Sequence, residues 1–200
     1  MMQKLSNFLS DYYNFIEPKS KKANLAYFNA SISGFESDYE EYSKYQLEIS
    51  KYYSNIELFN TVKEIKNSDE ITDQVQKREL DLIYNEFISN QFDESLNEEI
   101  IKLSTSLEQK FSVFRTTIED REVTDNEIDE ILENSFDSSE LERAWNASKQ
   151  IGEVVANDVV NLVKLRNKGA IELGFDNFHE MSLSIGEQSS VDLDLSLIHI

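Results

Sequence analysis

The stretch SSELERAWNASKQIGEVVANDVVNLVKLRNKGAIELGF, residues 138–175, decides the fold. It contains no proline, and small and apolar residues recur at steps of three and four, which is the spacing of one helix face. These face residues are Leu141, Trp145, Ser148, Gly152, Val155, Val159 and Leu162. We therefore predict a helix over 140–173, with Ser138 or Ser139 as its N-cap and Gly174 at its end.

This helix is apolar around much of its circumference, because Ile151, Val154, Leu165 and Ala170 cover the adjacent faces. Such a helix is usually buried between others. Gly152 on the main face predicts the close approach of a neighbouring element. Arg166 and Asn167 are polar among apolar neighbours, and we expect them to bond helix-end carbonyls or a neighbouring loop.

The rest of the chain reads as one helix after another. The predicted segments are 4–16, 19–67, 71–89, 94–118, 124–132 and 177–183. Pro18 predicts the end of the first helix, because a residue before proline disfavours the helical conformation. Gly34 leaves two alternatives for the second segment, one long helix or two. Ser68 is expected to cap the third segment, and Thr124 with Glu127 has the spacing of a capping box.

Composition supports an all-α fold, a multi-helix assembly in one domain. Glycine occurs 5 times and proline once in 200 residues, so an all-β fold with its many turns is excluded. With no cysteine, the chain has no disulfide, no thiol catalysis and no cysteine-ligated metal. The net charge of −20 argues against nucleic acid and anionic membrane surfaces as partners. No apolar run is long enough to span a membrane.

The chemistry-bearing residues are few. His179-Glu180 opens like the zinc motif H-E-x-x-H, but the fifth position is Leu183, so the second ligand of that motif is absent. The only other histidine is His199, and neither histidine is preceded by glutamate three residues earlier. The five glycines are isolated, so no phosphate-binding loop is present. We assign no catalytic, cofactor-binding or metal-binding residue within these 200 positions.

The end of the chain differs from the rest. Residues 191–200 read VDLDLSLIHI, and their first half alternates apolar and polar residues as a strand does. A single strand without a partner is not stable. We therefore expect 190–200 to be a non-native tail, such as the translation of a read-through or a sequencing adaptor, or a disordered one, and 1–189 to be the native helical region. Residues 1–10 lack the basic and apolar parts of a signal peptide, so the default expectation is a cytoplasmic protein.

Taken in order, several short motifs resemble the angiotensin-converting-enzyme family of zinc peptidases. The residues that carry the resemblance are Ser138 to Trp145, Ile151-Gly152, Leu162 to Asn167, Ala170, Leu173 to Phe175 and Met181 to Leu183, with Ala26-Tyr27, Asn29 to Ser33 and Lys77-Arg78 nearer the N-terminus. Arg166-Asn167 and Gly174-Phe175 are also similar to the related thimet oligopeptidase and oligopeptidase F family, which is the second choice. The resemblance covers most of residues 20–188.

The resemblance implies the N-terminal helical part of a gluzincin-type peptidase fold, truncated before the zinc motif. In that family two histidines and a downstream glutamate hold zinc, and the motif glutamate is the general base. It also implies oligopeptide substrates and zinc for the full-length parent, and an inactive fragment that binds no zinc. Trp145 and Lys149 fall where the family places an aromatic and often a basic residue on a wall helix of the cleft. The alternatives are a stand-alone acidic helical protein-interaction module and a scaffold that binds a basic partner.

Overall fold

The computed structural model describes residues 1–199, and Ile200 lies outside that range. Ten helices and one two-stranded sheet form in these residues, so the predicted all-α class is confirmed. The elements are α1 (Met2–Ser33), α2 (Glu36–Tyr53), α3 (Ile56–Lys66), α4 (Gln74–Ile88), α5 (Glu94–Val113), β1 (Thr116–Ile118), β2 (Arg121–Val123), α6 (Asp125–Asn134), α7 (Ser138–Ser148), α8 (Ile151–Glu172), α9 (Phe178–Ile185) and α10 (Ser190–Ile198). In the part of the chain that the structure describes, no helix is both long and apolar enough to cross a bilayer.

The first helix contradicts the prediction that Pro18 ends it. α1 continues through Pro18 to Ser33. Proline inside a helix removes one backbone hydrogen bond and costs roughly 3 kcal/mol. The helix persists because residues on both sides of the proline are anchored, among them the buried Tyr12 before it and Ala23 after it.

Gly34 separates α1 from α2, which settles the alternative left open at this position in favour of separate helices. Its φ of 68° is left-handed, and its backbone N–H donates to the Ala30 carbonyl, so it ends α1 as a helix-terminating glycine does. The predicted 19–67 segment is broken a second time at Ser54 and Asn55. The Asn55 side chain accepts hydrogen bonds from the backbone of Glu57 and Leu58 and so starts α3.

The main core lies where α1, α2, α3 and α4 meet, and it is rich in aromatic rings. Phe87 is fully buried, with the ring of Tyr53 at 5.1 Å and that of Phe8 at 6.4 Å. The hydroxyls of Tyr12 and Tyr53 share a buried hydrogen bond of 2.9 Å. The cluster consists of Leu5, Phe8, Tyr12, Tyr53, Val62, Ile65, Ile71, Leu80, Ile83 and Phe87.

α4 begins later than predicted. Asp73, and not Ser68, is its N-cap, because the Asp73 carboxylate accepts from the backbone N–H of Gln76. Ser68 instead accepts from the backbone of Glu70 within the preceding turn. Ile71 is buried in the core although it precedes the helix.

The predicted 94–118 helix ends at Val113 and is followed by a hairpin that the sequence pattern did not predict. Thr116 pairs with Val123 and Ile118 with Arg121, in antiparallel register. The helix after the hairpin confirms the predicted capping box: Thr124 and Glu127 bond each other's backbone N–H groups. The hairpin, α6 and α7 enclose a small core of their own, made of Val123, Ile128, Ala144 and Ala147.

The predicted 140–173 helix is two helices, α7 and α8, with a break at Lys149 and Gln150, and Asp137 is the N-cap rather than Ser138 or Ser139. α8 packs along α5 through Leu107, Val155 and Leu162, and Lys110 forms an ion pair with Asp158. The prediction for Gly152 is wrong, since no atom lies within 4 Å of where its Cβ would be. The close approach occurs at Gly169, where a Cβ would meet the ring of Phe92 at 3.2 Å.

The last elements follow the predicted pattern up to residue 189. Gly174, with φ of 88°, ends the α8 region, and Asn177 caps α9 by accepting from the backbone of Glu180. Residues 190–198 form helix α10 rather than the strand that their alternation suggests, and none of its residues is buried. The assignment of 190–200 as a non-native tail stays a prediction, and its last residue lies outside the described range.

Candidate functional site

A polar side chain of α8 contacts the start of α9. The side-chain oxygen of Asn167 accepts from the backbone N–H of Phe178 at 2.9 Å. Phe178 is the first residue of α9, so this bond satisfies one of the donors that a helix start leaves free. Asn167 was predicted to bond helix-end carbonyls or a neighbouring loop; its partner is instead the first backbone N–H of the next helix, and its role is structural.

The contacts of Arg166 differ from those predicted from the sequence. Its guanidinium carbon lies 5.1 Å from the centre of the Phe178 ring, and one guanidinium nitrogen donates to Ser104 Oγ at 3.3 Å. Arg166 thus faces α5 and α9 rather than the carbonyls at its own helix end. The half-buried position lowers the pKa of Arg166, since burial disfavours the charged form.

His179 and Glu180 lie on the first turn of α9. His179 borders a cleft of about 410 Å³ with Val163, Phe178 and Ser182. Within residues 1–199, no group of three His, Cys, Asp or Glu side chains is close enough to hold a metal ion. The donor set at His179 therefore does not fit the zinc site of an H-E-x-x-H peptidase, which needs three protein ligands.

Trp145 and Lys149 come together at the end of α7. The Lys149 ammonium lies 3.9 Å from the centre of the indole ring, a cation–π contact. Trp145 is nevertheless 56% exposed. A large aromatic residue with a charged neighbour on an open surface is available to a further partner, but nothing in the contact itself is chemically reactive.

The outer side of α8 carries apolar side chains that the other described elements leave about half exposed. Val159, Val160, Val163 and Ile171 lie within about a third of the helix circumference and are between 40% and 61% exposed. Single exposed valines are ordinary, whereas a contiguous apolar face on a helix indicates a surface that packs against something else.

One charged residue was missed by the sequence analysis. Glu108 sits between Leu107 and Phe111 on the helix face of α5 that turns toward α8. Burial raises the pKa of its carboxyl group, and the positive charge of Arg166 opposes that rise. A charge on the helix face that also carries Leu107 and Phe111 was the available signal, and the many acidic residues of the chain obscured it.

A search of the curated proteins found no relative of this chain. A family model does match, that of the angiotensin-converting enzyme peptidases, and it covers residues 2–199. The chain belongs to the angiotensin-converting enzyme family of peptidases.

Proposed function

We propose that this chain is the N-terminal helical part of a zinc-dependent metallopeptidase, a peptidyl-dipeptidase or oligopeptidase that hydrolyses peptide bonds of oligopeptides. The helices form one wall of the substrate cleft, and the zinc ligands and the general base belong to sequence outside these 200 residues. Family membership supports the reaction class. The fragment alone is expected to bind no zinc and to cleave no peptide.

The apolar face of α8 carries the proposal. Val159, Val160, Val163 and Ile171 retain about half of their accessible surface. Fully burying such a side chain is worth roughly 1.5–3 kcal/mol, so about 1 kcal/mol per residue remains to be gained when a further element packs here. A missing half of the cleft supplies such an element, and the spacing suits a helix.

The small number of possible zinc ligands in the chain supports the proposal that zinc is bound by residues outside these 200 positions. The chain has two histidines and no cysteine, and Leu183 replaces the second histidine of the motif that begins at His179. Two histidines one helical turn apart are needed to chelate from a single helix. We therefore assign zinc to the complete enzyme and not to any residue described above.

The experiment compares two proteins, the 200-residue chain and a version extended by the downstream coding sequence. Both are incubated with an internally quenched oligopeptide, with and without a metal chelator. We expect cleavage by the extended protein only, lost with the chelator and restored by added zinc. The matched control is the extended protein with its motif glutamate replaced by glutamine. Zinc-dependent cleavage by the 200-residue chain, or none by the extended protein, contradicts the proposal.

The second candidate, a stand-alone acidic interaction module, is favoured by one observation, the closed aromatic core around the fully buried Phe87. A module folds cooperatively by itself and uses the α8 face for binding. Near-ultraviolet circular dichroism during thermal unfolding separates the two candidates. Loss of the aromatic signal with no hydrophobic dye bound beforehand favours the module, and strong binding of the dye by the folded chain favours the incomplete enzyme.

A further inference from the structure

A buried carboxyl group that the proposed function does not use lies where α1, α2, α5 and α8 meet. Glu108 of α5 borders a cavity of about 590 Å³ at this junction. Its Oε2 atom is nevertheless closed off from solvent and accepts no hydrogen bond from any residue between 1 and 199. A buried acceptor without a donor destabilises the folded state, and it does so far more when the group is charged than when it is neutral.

Four other helices bring titratable side chains to the surroundings of Glu108. These side chains are Tyr27 on α1, Tyr39 and Tyr42 on α2, Asp125 on α6 and Arg166 on α8. The tyrosine hydroxyls are uncharged near neutral pH, and burial together with the charge of Glu108 raises the pKa of Tyr42 above its usual 10. Asp125 has the same sign of charge as an ionised Glu108 and cannot stabilise it. Arg166 is therefore the one positive charge of this set.

Arg166 attracts Glu108 but does not compensate for its burial. The two side chains border the same cavity, yet they form no ion pair within 4.0 Å. Burial raises the pKa of Glu108 and lowers that of Arg166, and in both groups this effect is larger than the attraction between the two charges. The folded chain therefore favours the protonated form of the Glu108 carboxyl.

We propose that this junction is a pH-sensitive contact, in which α2 packs tightly on α5 while Glu108 holds a proton and loosens when the carboxyl ionises. An ionised carboxylate without a hydrogen-bond donor is stabilised by water, and water reaches Oε2 only if the neighbouring helices move apart. Because folding raises the pKa of Glu108 above 4.5, its contribution to stability is fully present below pH 4.5 and is lost as pH rises through the folded value.

The contact needs neither zinc nor peptide cleavage, so its test is independent of the peptidase proposal. In the unmodified 200-residue chain, the titration of the Glu108 side-chain carboxyl is followed by NMR. A midpoint above the usual 4.5 is expected. A midpoint at or below 4.5 overturns the proposal, because the folded chain then favours the charged form. This measurement needs no altered protein and so does not depend on how a variant folds.

A variant that cannot ionise tests the effect on stability. Glu108→Gln keeps the shape of the side chain, and its urea unfolding is compared with that of the unmodified chain between about pH 5 and pH 8. The folding constant of the variant relative to the unmodified chain is expected to rise with pH, by up to tenfold for each unit by which folding raises the pKa of Glu108. Glu99→Gln makes the same change at an exposed position of α5, and its relative folding constant is expected to stay constant. The same pH dependence in both variants, or none in Glu108→Gln, overturns the proposal.

Hydrogen exchange locates the contact that loosens. At about pH 8, the backbone amide of Tyr42 on α2 is expected to exchange faster in the unmodified chain than in Glu108→Gln, and this difference is expected to disappear below the midpoint of the Glu108 titration. The amide of Ile83, in the aromatic core, is the reference and is expected to exchange equally in both proteins. Equal exchange at Tyr42 in the two proteins contradicts the proposal. A change of the same size at Tyr42 and Ile83 also contradicts it, because ionisation then affects the whole chain rather than this junction.

Discussion

The link between α1 and α2 offers a stability test with an internal comparison. Gly34 has a φ of 68°, and a Cβ placed on it would lie 3.0 Å from the Cγ1 atom of Val113, at the end of α5. Gly34→Ala therefore introduces two separate costs, a strained backbone and a collision. A loss of stability in this variant therefore reports on how α1 and α2 are fixed to α5.

The magnitude follows from those two costs. A non-glycine residue in the left-handed region costs about 1–2 kcal/mol. Alanine also restricts the unfolded chain, which offsets roughly 0.4–1 kcal/mol. Displacing the partly exposed Val113 adds about 1 kcal/mol, at the low end of the range for overpacking. We expect a net loss of about 2 kcal/mol, which lowers Tm by roughly 4–8 °C in a chain of this size.

Two other glycines are the matched controls. Gly174 has a φ of 88° but nothing within 4 Å of its Cβ position, so Gly174→Ala incurs only the backbone cost, about 1 kcal/mol. Gly152 lies in the first turn of α8 with an ordinary backbone and open space around it. Gly152→Ala is therefore expected to stabilise the chain, by up to about 1 kcal/mol, through helix propensity alone.

Urea unfolding followed by far-ultraviolet circular dichroism measures all three variants. The expected order of stability is Gly152→Ala, unmodified chain, Gly174→Ala and Gly34→Ala. Adding Val113→Ala to Gly34→Ala is expected to recover about 1 kcal/mol, because the collision is removed. Equal losses in Gly34→Ala and Gly174→Ala, with no recovery in the double variant, refute the contact between Gly34 and Val113.

Three further predictions concern α6 and α9. Thr124→Ala removes the side-chain half of the capping box and should lower the free energy of unfolding by about 1 kcal/mol in urea; no change means that α6 needs no cap. Hydrogen bonds from Arg121 and from Thr124 lower the pKa of Glu127 to about 2, below its usual 4.5. The stability that Glu127 contributes is therefore present above pH 4.5 and is lost as pH falls toward 2, so an NMR midpoint near 4.5 contradicts the bonds. Asn167→Ala leaves the backbone N–H of Phe178 without its acceptor and should speed hydrogen exchange at that amide, whereas unchanged exchange shows that α9 is held otherwise.

The sequence predicted where helices occur far better than it predicted the residues at which they begin and end. Spacing of apolar residues predicted the helical regions, and local chemistry predicted the Thr124 capping box and the helix end at Gly174, whereas the break at Gly34 was only one of two alternatives. Pro18 was misjudged because its local cost is outweighed by distant packing of α1 against three other helices, which no window around the proline contains.

The hairpin was missed for a different reason. Its turn places Glu119 and Asp120 at φ of 51° and 64°, a conformation usually given to asparagine and glycine. Acidic residues there carry no turn signal, and strands of three residues are too short to show alternation. The break between α7 and α8 at Lys149 also gave no signal in the sequence, because neither proline nor glycine stands at it.

The residues of the candidate sites also differ in how far the sequence predicts their contacts. The structural role of Asn167 could be predicted, since a polar residue near a helix end bonds nearby backbone, but its partner at the start of α9 could not. The position of Glu108 and Arg166 beside one cavity could not be predicted, because the two residues lie 58 positions apart, on helices whose packing is set by Leu107, Val155 and Leu162.

The coding sequence downstream of Ser189 tests the central claim most directly. If these helices are the N-terminal wall of a zinc peptidase, the gene continues in frame and encodes H-E-x-x-H followed by a glutamate ligand. A reading frame that closes soon after Ser189, without that motif, contradicts the account.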